Sequence, residues 1–283
     1  MTSLAPRRWS LSIHCPLSTI HLYFRYISIS VRSQMQYRLS FVMATVGQFV
    51  LTASEIIVIW ALFDRFGSLR GWLLPEVALF YGIVRVAFSI SEAVARGFDT
   101  FDRLIRNGDF DRLLLRPRGT IFQVSAREMQ LMRVGGLAQG LVVLLWAMAA
   151  LDVYWTPAHV ALLLFAIFGG ACLFSGLFVL QATLSFWTTQ SLEVMNTVTY
   201  GGAQTGQFPI PIYQRWFQKF FTFVVPLACV TYFPTLPILG REDVILRSPA
   251  WFHWCAPAVG VAFLLIMFQV WGLGVRHYRS TGS

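Results

Sequence analysis

Long apolar runs, each about the length of a bilayer crossing, alternate with short polar breaks along most of this chain. A crossing helix needs about 20 predominantly apolar residues. Six blocks qualify: Ser40–Phe63, Leu74–Ala95, Met129–Leu151, Ala158–Trp187, Phe220–Leu239 and Trp251–Val275. The pattern predicts six spans over residues 40–275. Ahead of them the period is helical but divided. Ile20, Phe24, Ile27, Val31 and Met35 share one helix face, and His21, Arg25, Ser28, Arg32 and Gln36 share the other. Such a helix over 20–38 is expected to lie in the membrane interface. Residues 1–19 carry no motif and are expected to be a disordered tail; Met1–His21 lacks the pattern of a cleavable signal.

Punctuation refines the blocks. Pro75 stands in the first turn of the second span, where its missing N–H costs nothing. The segment Ser191–Gln214 holds Gly201, Gly202, Gly206, Pro209 and Pro211, a composition expected to block a continuous helix. Pro226 predicts a kink or break in the fifth span. Gly136 and Gly140 form a GxxxG pair, a helix-contact pattern of low specificity.

Composition agrees with a membrane class. The chain is 56% hydrophobic and 12% charged, with a mean hydropathy of +0.61, against about 25% charged in soluble domains. The expected fold is an all-α polytopic membrane protein with six transmembrane helices and an N-terminal amphipathic interfacial helix. Charge predicts its orientation. With six spans, seventeen basic residues fall on the side of the termini and four on the other, with Arg85 inside a span. The positive-inside rule then puts both termini in the cytoplasm. The net charge of +9 follows from that bias; no soluble basic-aromatic face calls for nucleic acid.

One segment breaks the apolar texture. Nine of the 35 charged residues lie in 97–119, among them Asp102, Arg103, Arg106, Asp109, Asp111 and Arg112. Asp99–Arg103 and Asp102–Arg106 are spaced i,i+4 with the acid first, the better orientation for a helical pair. Asn107-Gly108 reads as a helix stop, and Asp109 as the cap of a second short helix that ends before Pro117. Helix, sharp turn, short helix is the expectation. Phe110, Leu113, Leu114 and Leu115 within a cytoplasmic loop call for a partner surface, with Phe110 or Leu113 expected to enter a cleft on it.

Other chemistry is absent from the sequence. The single lysine, Lys219, follows Gln218, so no phosphate-binding loop can form. The five histidines make no HExxH and pair with no cysteine at metal spacing, and no G-x-S-x-G occurs. No catalytic or metal residues are expected. Cys15, Cys172, Cys229 and Cys255 read as free thiols. Within the spans the ionisable residues are Glu55, Arg85 and Glu92. Arg85 is expected to pair with one of the two carboxylates, because an unpaired arginine in lipid is the costlier state.

These residues carry a family resemblance. The interfacial helix ending in Tyr37-Arg38, Gly71-Trp72 and Pro75-Glu76 is followed by Arg106-Asn107-Gly108-Asp109-Phe110-Asp111 and Leu113-Leu114-Leu115-Arg116-Pro117. Together they resemble permeases of type-2 ABC exporters, in a bacterial six-span branch. The likeness continues through Pro211-Ile212-Tyr213, Pro234 and Leu239-Gly240 to His277-Tyr278-Arg279-Ser280-Thr281-Gly282. It implies that residues 20–283 are a permease domain in a bacterial inner membrane, with 97–119 as its coupling segment. It also implies a separate ABC ATPase carrying the ATP and Mg, and a second permease, either a related paralogue or an identical copy. Membrane lipids would surround the assembly, and a lipophilic or amphipathic cargo would move outward. The alternatives are a proton-coupled secondary transporter, which needs paired broken spans or a carboxylate cluster, and a membrane-embedded lipid-modifying enzyme, which needs a catalytic constellation.

Overall fold

A computed structural model describes residues 38–127, 134–188 and 191–278. The expected tail and all of the interfacial helix except Arg38 lie outside the described residues. Thirteen α-helices follow in the described chain. The first is α1 (Arg38–Phe66), apolar along its length but packed on little: Met43, Leu51, Val58 and Trp60 are exposed, and among its described side chains only Ile59 and Phe63 are buried. A turn with positive φ at Gly67, Arg70 and Gly71 leads into α2 (Leu74–Asp99). Pro75 sits in its first turn, and Glu76 accepts the Leu73 N–H at 2.8 Å.

Helix α2 is the centre of the molecule, buried over most of its length. Against it pack α6 (Val134–Ala150), α7 (Pro157–Leu184) and α8 (Ser191–Gly206), and α13 (Ala258–His277) packs along α7. Small residues permit the closest approaches. A Cβ on Gly260 of α13 would lie 2.1 Å from the Gly169 carbonyl oxygen of α7, so these two backbones touch.

Among the described residues four helices are long and apolar enough to cross a membrane, α1, α2, α7 and α13, and a bent pair makes a fifth span if it counts as one. Helix α6 is apolar but only 17 residues long, and residues 129–133 of the predicted third span lie outside the described residues.

The predicted fifth span carries its predicted break. It consists of α9 (Arg215–Lys219) with a π-turn at Phe220–Val224, then α10 (Leu227–Val230) and α11 (Tyr232–Leu239). The arms Arg215–Val224 and Leu227–Leu239 meet at 73°, at Pro226, which cannot donate the hydrogen bond a continuous helix needs. Both ends of this pair return to the turn before α2. Arg70 Nη1 donates to the Pro211 carbonyl at 3.4 Å near one end, and Arg241 donates to Glu76 and the Gly71 carbonyl at the other. Between them the tip goes inward, with Leu227 against Gly206 and Val230 against Gly260. The segment is a sharply bent pair, the geometry of a broken span or a re-entrant loop. Ser191–Gln214 is not one continuous helix, as expected: it is helical over Ser191–Gly206, breaks ahead of Pro209 and continues as a 3-10 turn at Ile210–Ile212. Gly206 packs against Val84 and Leu227, so this glycine also serves close contact.

The last turn before α12 (Ala250–Cys255) is built on Asp243. Its carboxylate accepts from the N–H groups of Ile245, Leu246 and Ser248 and from the Ser248 hydroxyl, at 2.6–3.3 Å. Burial pushes the Asp243 carboxyl upward, and the hydrogen bonds from Ser248, Ile245 and Leu246 outweigh it and hold the group below the ordinary carboxylate value. Cys172, Cys229 and Cys255 are free thiols, and Cys15 lies outside the described residues.

Candidate coupling elbow and intramembrane cleft

At the end of α2 away from Glu76 the chain makes three short helices: α3 (Phe101–Arg106), α4 (Asp109–Leu114) and α5 (Thr120–Ser125). The predicted stop is present. The Asn107 N–H closes α3 onto the Arg103 carbonyl at 3.0 Å, and Gly108 turns with φ +69°, a conformation glycine adopts without Cβ strain. Helix α5 then lies against α2, where a Cβ on Gly97 would come within 1.8 Å of the Val124 carbonyl oxygen. Gln123 donates to the carbonyls of Leu113 and Arg118, at 3.1 and 2.8 Å, and ties α4 to α5.

An aromatic cluster fixes this elbow from within. Phe101 and Phe110 pack edge to face at 5.1 Å, Phe101 meets Trp271 at 4.9 Å, and Phe110 meets Tyr278 at 5.0 Å and Phe186 at 5.5 Å. Trp271 Nε1 donates to the Thr120 hydroxyl at 3.0 Å. The expectation that Phe110 or Leu113 inserts into a partner is therefore corrected. Phe110 is fully buried against Phe101, Phe186, Trp271 and Tyr278, and Leu113 is buried at the base of a groove beside Arg112 and Arg116. What the elbow presents outward is Leu115, 86% exposed, with Arg103, Arg106, Arg112 and Arg116. The groove, of about 340 Å³, runs beside them, lined by Asp109, Arg112, Arg116, Arg118, Phe122 and Arg127.

The ion pairs match the expectation in part. Arg106 and Asp102 pair at 3.0 Å across one turn. Asp109 lies 3.8 Å from Arg112 and 3.5 Å from Arg127. Asp111 stands against the Tyr278 hydroxyl, and burial, with this carboxylate beside it, holds the phenol above its ordinary value. Asp99 does not pair with Arg103. It takes the Arg96 guanidinium, the Tyr200 hydroxyl at 3.2 Å and the Gln181 amide at 3.2 Å, which closes the inner ends of α2, α7 and α8 together.

Within the span region Glu55, Arg85 and Glu92 line one cleft of about 430 Å³ between α1, α2 and α8. They do not form the predicted pair. Glu55 accepts from the Tyr81 hydroxyl at 3.3 Å and from Gln204 Nε2 at 3.4 Å, and Glu92 lies within electrostatic reach of Arg96. Among the described residues no carboxylate stands within ion-pair distance of Arg85. Its Nε is buried without a hydrogen-bond partner. Tyr200, Gln181 and Gln204 were missed by sequence reasoning, although polar residues in apolar helices are a signal of interior contacts. Thr120, Phe186, Trp271 and Tyr278 were missed as supports of the elbow, and no local pattern marks them.

Residues 49–282 match the family described as ABC-2 family transporter protein. No curated protein matches the chain, and no solved structure does.

Proposed function

This chain belongs to the ABC-2 transporter family and is the multi-pass membrane permease of an ABC transporter, and from that premise we propose that its elbow receives the work of a separate ABC ATPase. ATP and Mg²⁺ bind on that subunit. Two permeases, identical or paralogous, complete the transporter in a bacterial inner membrane. The cargo is lipophilic or amphipathic and moves outward.

The observation that carries this reading is the build of the elbow. A transmitting element must be stiff, because a flexible loop absorbs motion. Here α3, α4 and α5 are locked by Phe101, Phe110 and Trp271 while Leu115 and four arginines face outward. Asp102, Arg103, Arg106, Asp109, Asp111 and Arg112 belong to this outer shell, with Phe110 and Leu113 as its inner pins. Force applied to the elbow reaches α2 through Gly97–Val124 contact and α13 through Trp271. The proposed topology has six crossings: α1, α2, α6, α7, α8 and α13, with both termini cytoplasmic. With the bent pair read as a re-entrant hairpin, Arg215 and Lys219 would lie outside, leaving fifteen basic residues inside and six outside, still the positive-inside sense.

The test has two arms. The permease should co-purify with an ATPase whose hydrolysis it modulates. Replacing Asn107-Gly108 with a flexible glycine-serine insert should abolish transport and coupled hydrolysis at normal expression. Survival of both activities with that insert would remove the elbow from the mechanism.

A further inference from the structure

We propose that the cleft between α1, α2 and α8 is a ligand site that takes an amphipathic molecule by an anionic oxygen group, phosphate or carboxylate, through Arg85. The inference rests on the permease reading and adds the chemical class of what the path holds.

Arg85 is near the middle of α2, the most buried helix of the bundle. Its stem is held in a slot made by the GxxxG pair of α6. A Cβ on Gly140 would stand 3.0 Å from Arg85 Cγ, and one on Gly136 would stand 3.4 Å from Nη2. The glycine motif thus makes room for an arginine as well as bringing two helices together. A guanidinium at this depth is costly unless something answers its charge. Of the two carboxylates that line the same cleft, Glu55 is held by Tyr81 and Gln204, neither it nor Glu92 stands within ion-pair distance of Arg85, and Arg85 Nε has no hydrogen-bond partner. A planar fork of donors suits a phosphate or carboxylate, which accepts two parallel hydrogen bonds.

The rest of the cleft suits the rest of such a molecule. Tyr200, Gln204 and Gln207 bring polar groups to the same space, while Leu51, Val84 and Phe88 wall it with apolar surface. Beyond Leu51, the exposed face of α1 continues apolar through Val50 and Val46. A charged head at Arg85 and an alkyl body along α1 use both features.

The test measures thermal unfolding of the full-length permease in neutral detergent, without ATPase. Dioleoyl phosphatidylglycerol should raise the midpoint by about 5 °C at a hundredfold excess over its dissociation constant. Dioleoyl phosphatidylcholine and inorganic phosphate should leave it unmoved. Arg85→Gln should abolish the rise. Should Arg85→Gln fail to fold, Arg85→Met, of similar length and apolar, reads the same loss. A rise retained in either variant overturns the proposal, as does an equal rise with phosphatidylcholine. A rise lost in Arg112→Gln/Arg116→Gln but kept in Arg85→Gln assigns the lipid to the elbow and overturns it too. An equal rise with inorganic phosphate overturns the amphipathic part and leaves a soluble anion. Because no ATPase is present, failure here is separable from failure of the elbow insert.

Discussion

Phe110 offers the sharpest test of an elbow pinned from inside. Truncation to alanine removes a fully buried ring with three aromatic partners at 5.0–5.5 Å: Tyr278, Phe101 and Phe186. Buried Phe→Ala changes cost about 3–5 kcal/mol, part of it the aromatic geometry itself. Even the lower figure shifts the equilibrium between docked and undocked elbow by about 150-fold. Hydrogen exchange of the backbone amides over residues 101–116 should therefore accelerate on the order of a hundredfold, while the amides of α7 stay protected. Coupled ATPase activity should fall with it, and Phe110→Leu should lie between. Leu115→Ala, a change on the exposed side, should leave exchange unaltered and weaken only assembly with the ATPase. If a folded Phe110→Ala protein exchanges within threefold of wild type, the pin reasoning fails. If coupling is lost while exchange is unchanged, Phe110 acts by contact and the burial argument is wrong.

Three further outcomes follow. Gly97→Ala should part α2 from α5 by about 1 Å or more, because its Cβ would sit 1.8 Å from the Val124 oxygen; elbow exchange should rise without loss of membrane insertion, and normal exchange would contradict the contact. Arg241→Ala should destabilise the permease by about 2 kcal/mol, read as a lowered thermal midpoint, since Glu76 would lose two hydrogen bonds at 2.7 and 2.8 Å and Trp72 its stacked cation. Asp243 has a depressed folded pKa, so its stabilisation is present above the unfolded value of about 3.9 and is lost as pH falls through the lower folded one; thermal midpoints below about pH 4 should drop more steeply in wild type than in Asp243→Asn, and parallel curves would rule Asp243 out.

The fold was legible wherever one periodic signal decided the outcome. Helices α1, α2, α7 and α13 follow from apolar length, and the elbow follows from the Asn107-Gly108 stop; the expected Asp109 cap is not made, because Gly108 is the N-cap and Asp109 stands in the first turn. Apolarity alone could not distinguish a crossing from a hairpin, because Phe220–Leu239 is lipid-like in either arrangement and Pro226 permits both a kink and a reversal. Gly206 read only as a chain breaker because its further use, closeness to Val84 and Leu227, is set by segments outside its own helix. The same limit governs Phe110. A six-residue helix with apolar residues has an inner and an outer face, and only the arrival of Trp271 and Tyr278 decides which is inner. For Arg85 the spacing to Glu92 put both on one face, but competing donors to Glu55 and the reach of Arg96 toward Glu92 left the arginine aside.

The bond between Trp271 and Thr120 joins positions 151 residues apart. During synthesis the elbow emerges long before α13 is made, so for that interval Phe101 and Phe110 have no Trp271 or Tyr278 to cover them. The surface that an ATPase would meet is completed only when the final helix has been inserted. If the elbow is the docking face, a permease made only as far as the helices before α13 would hold that face unassembled.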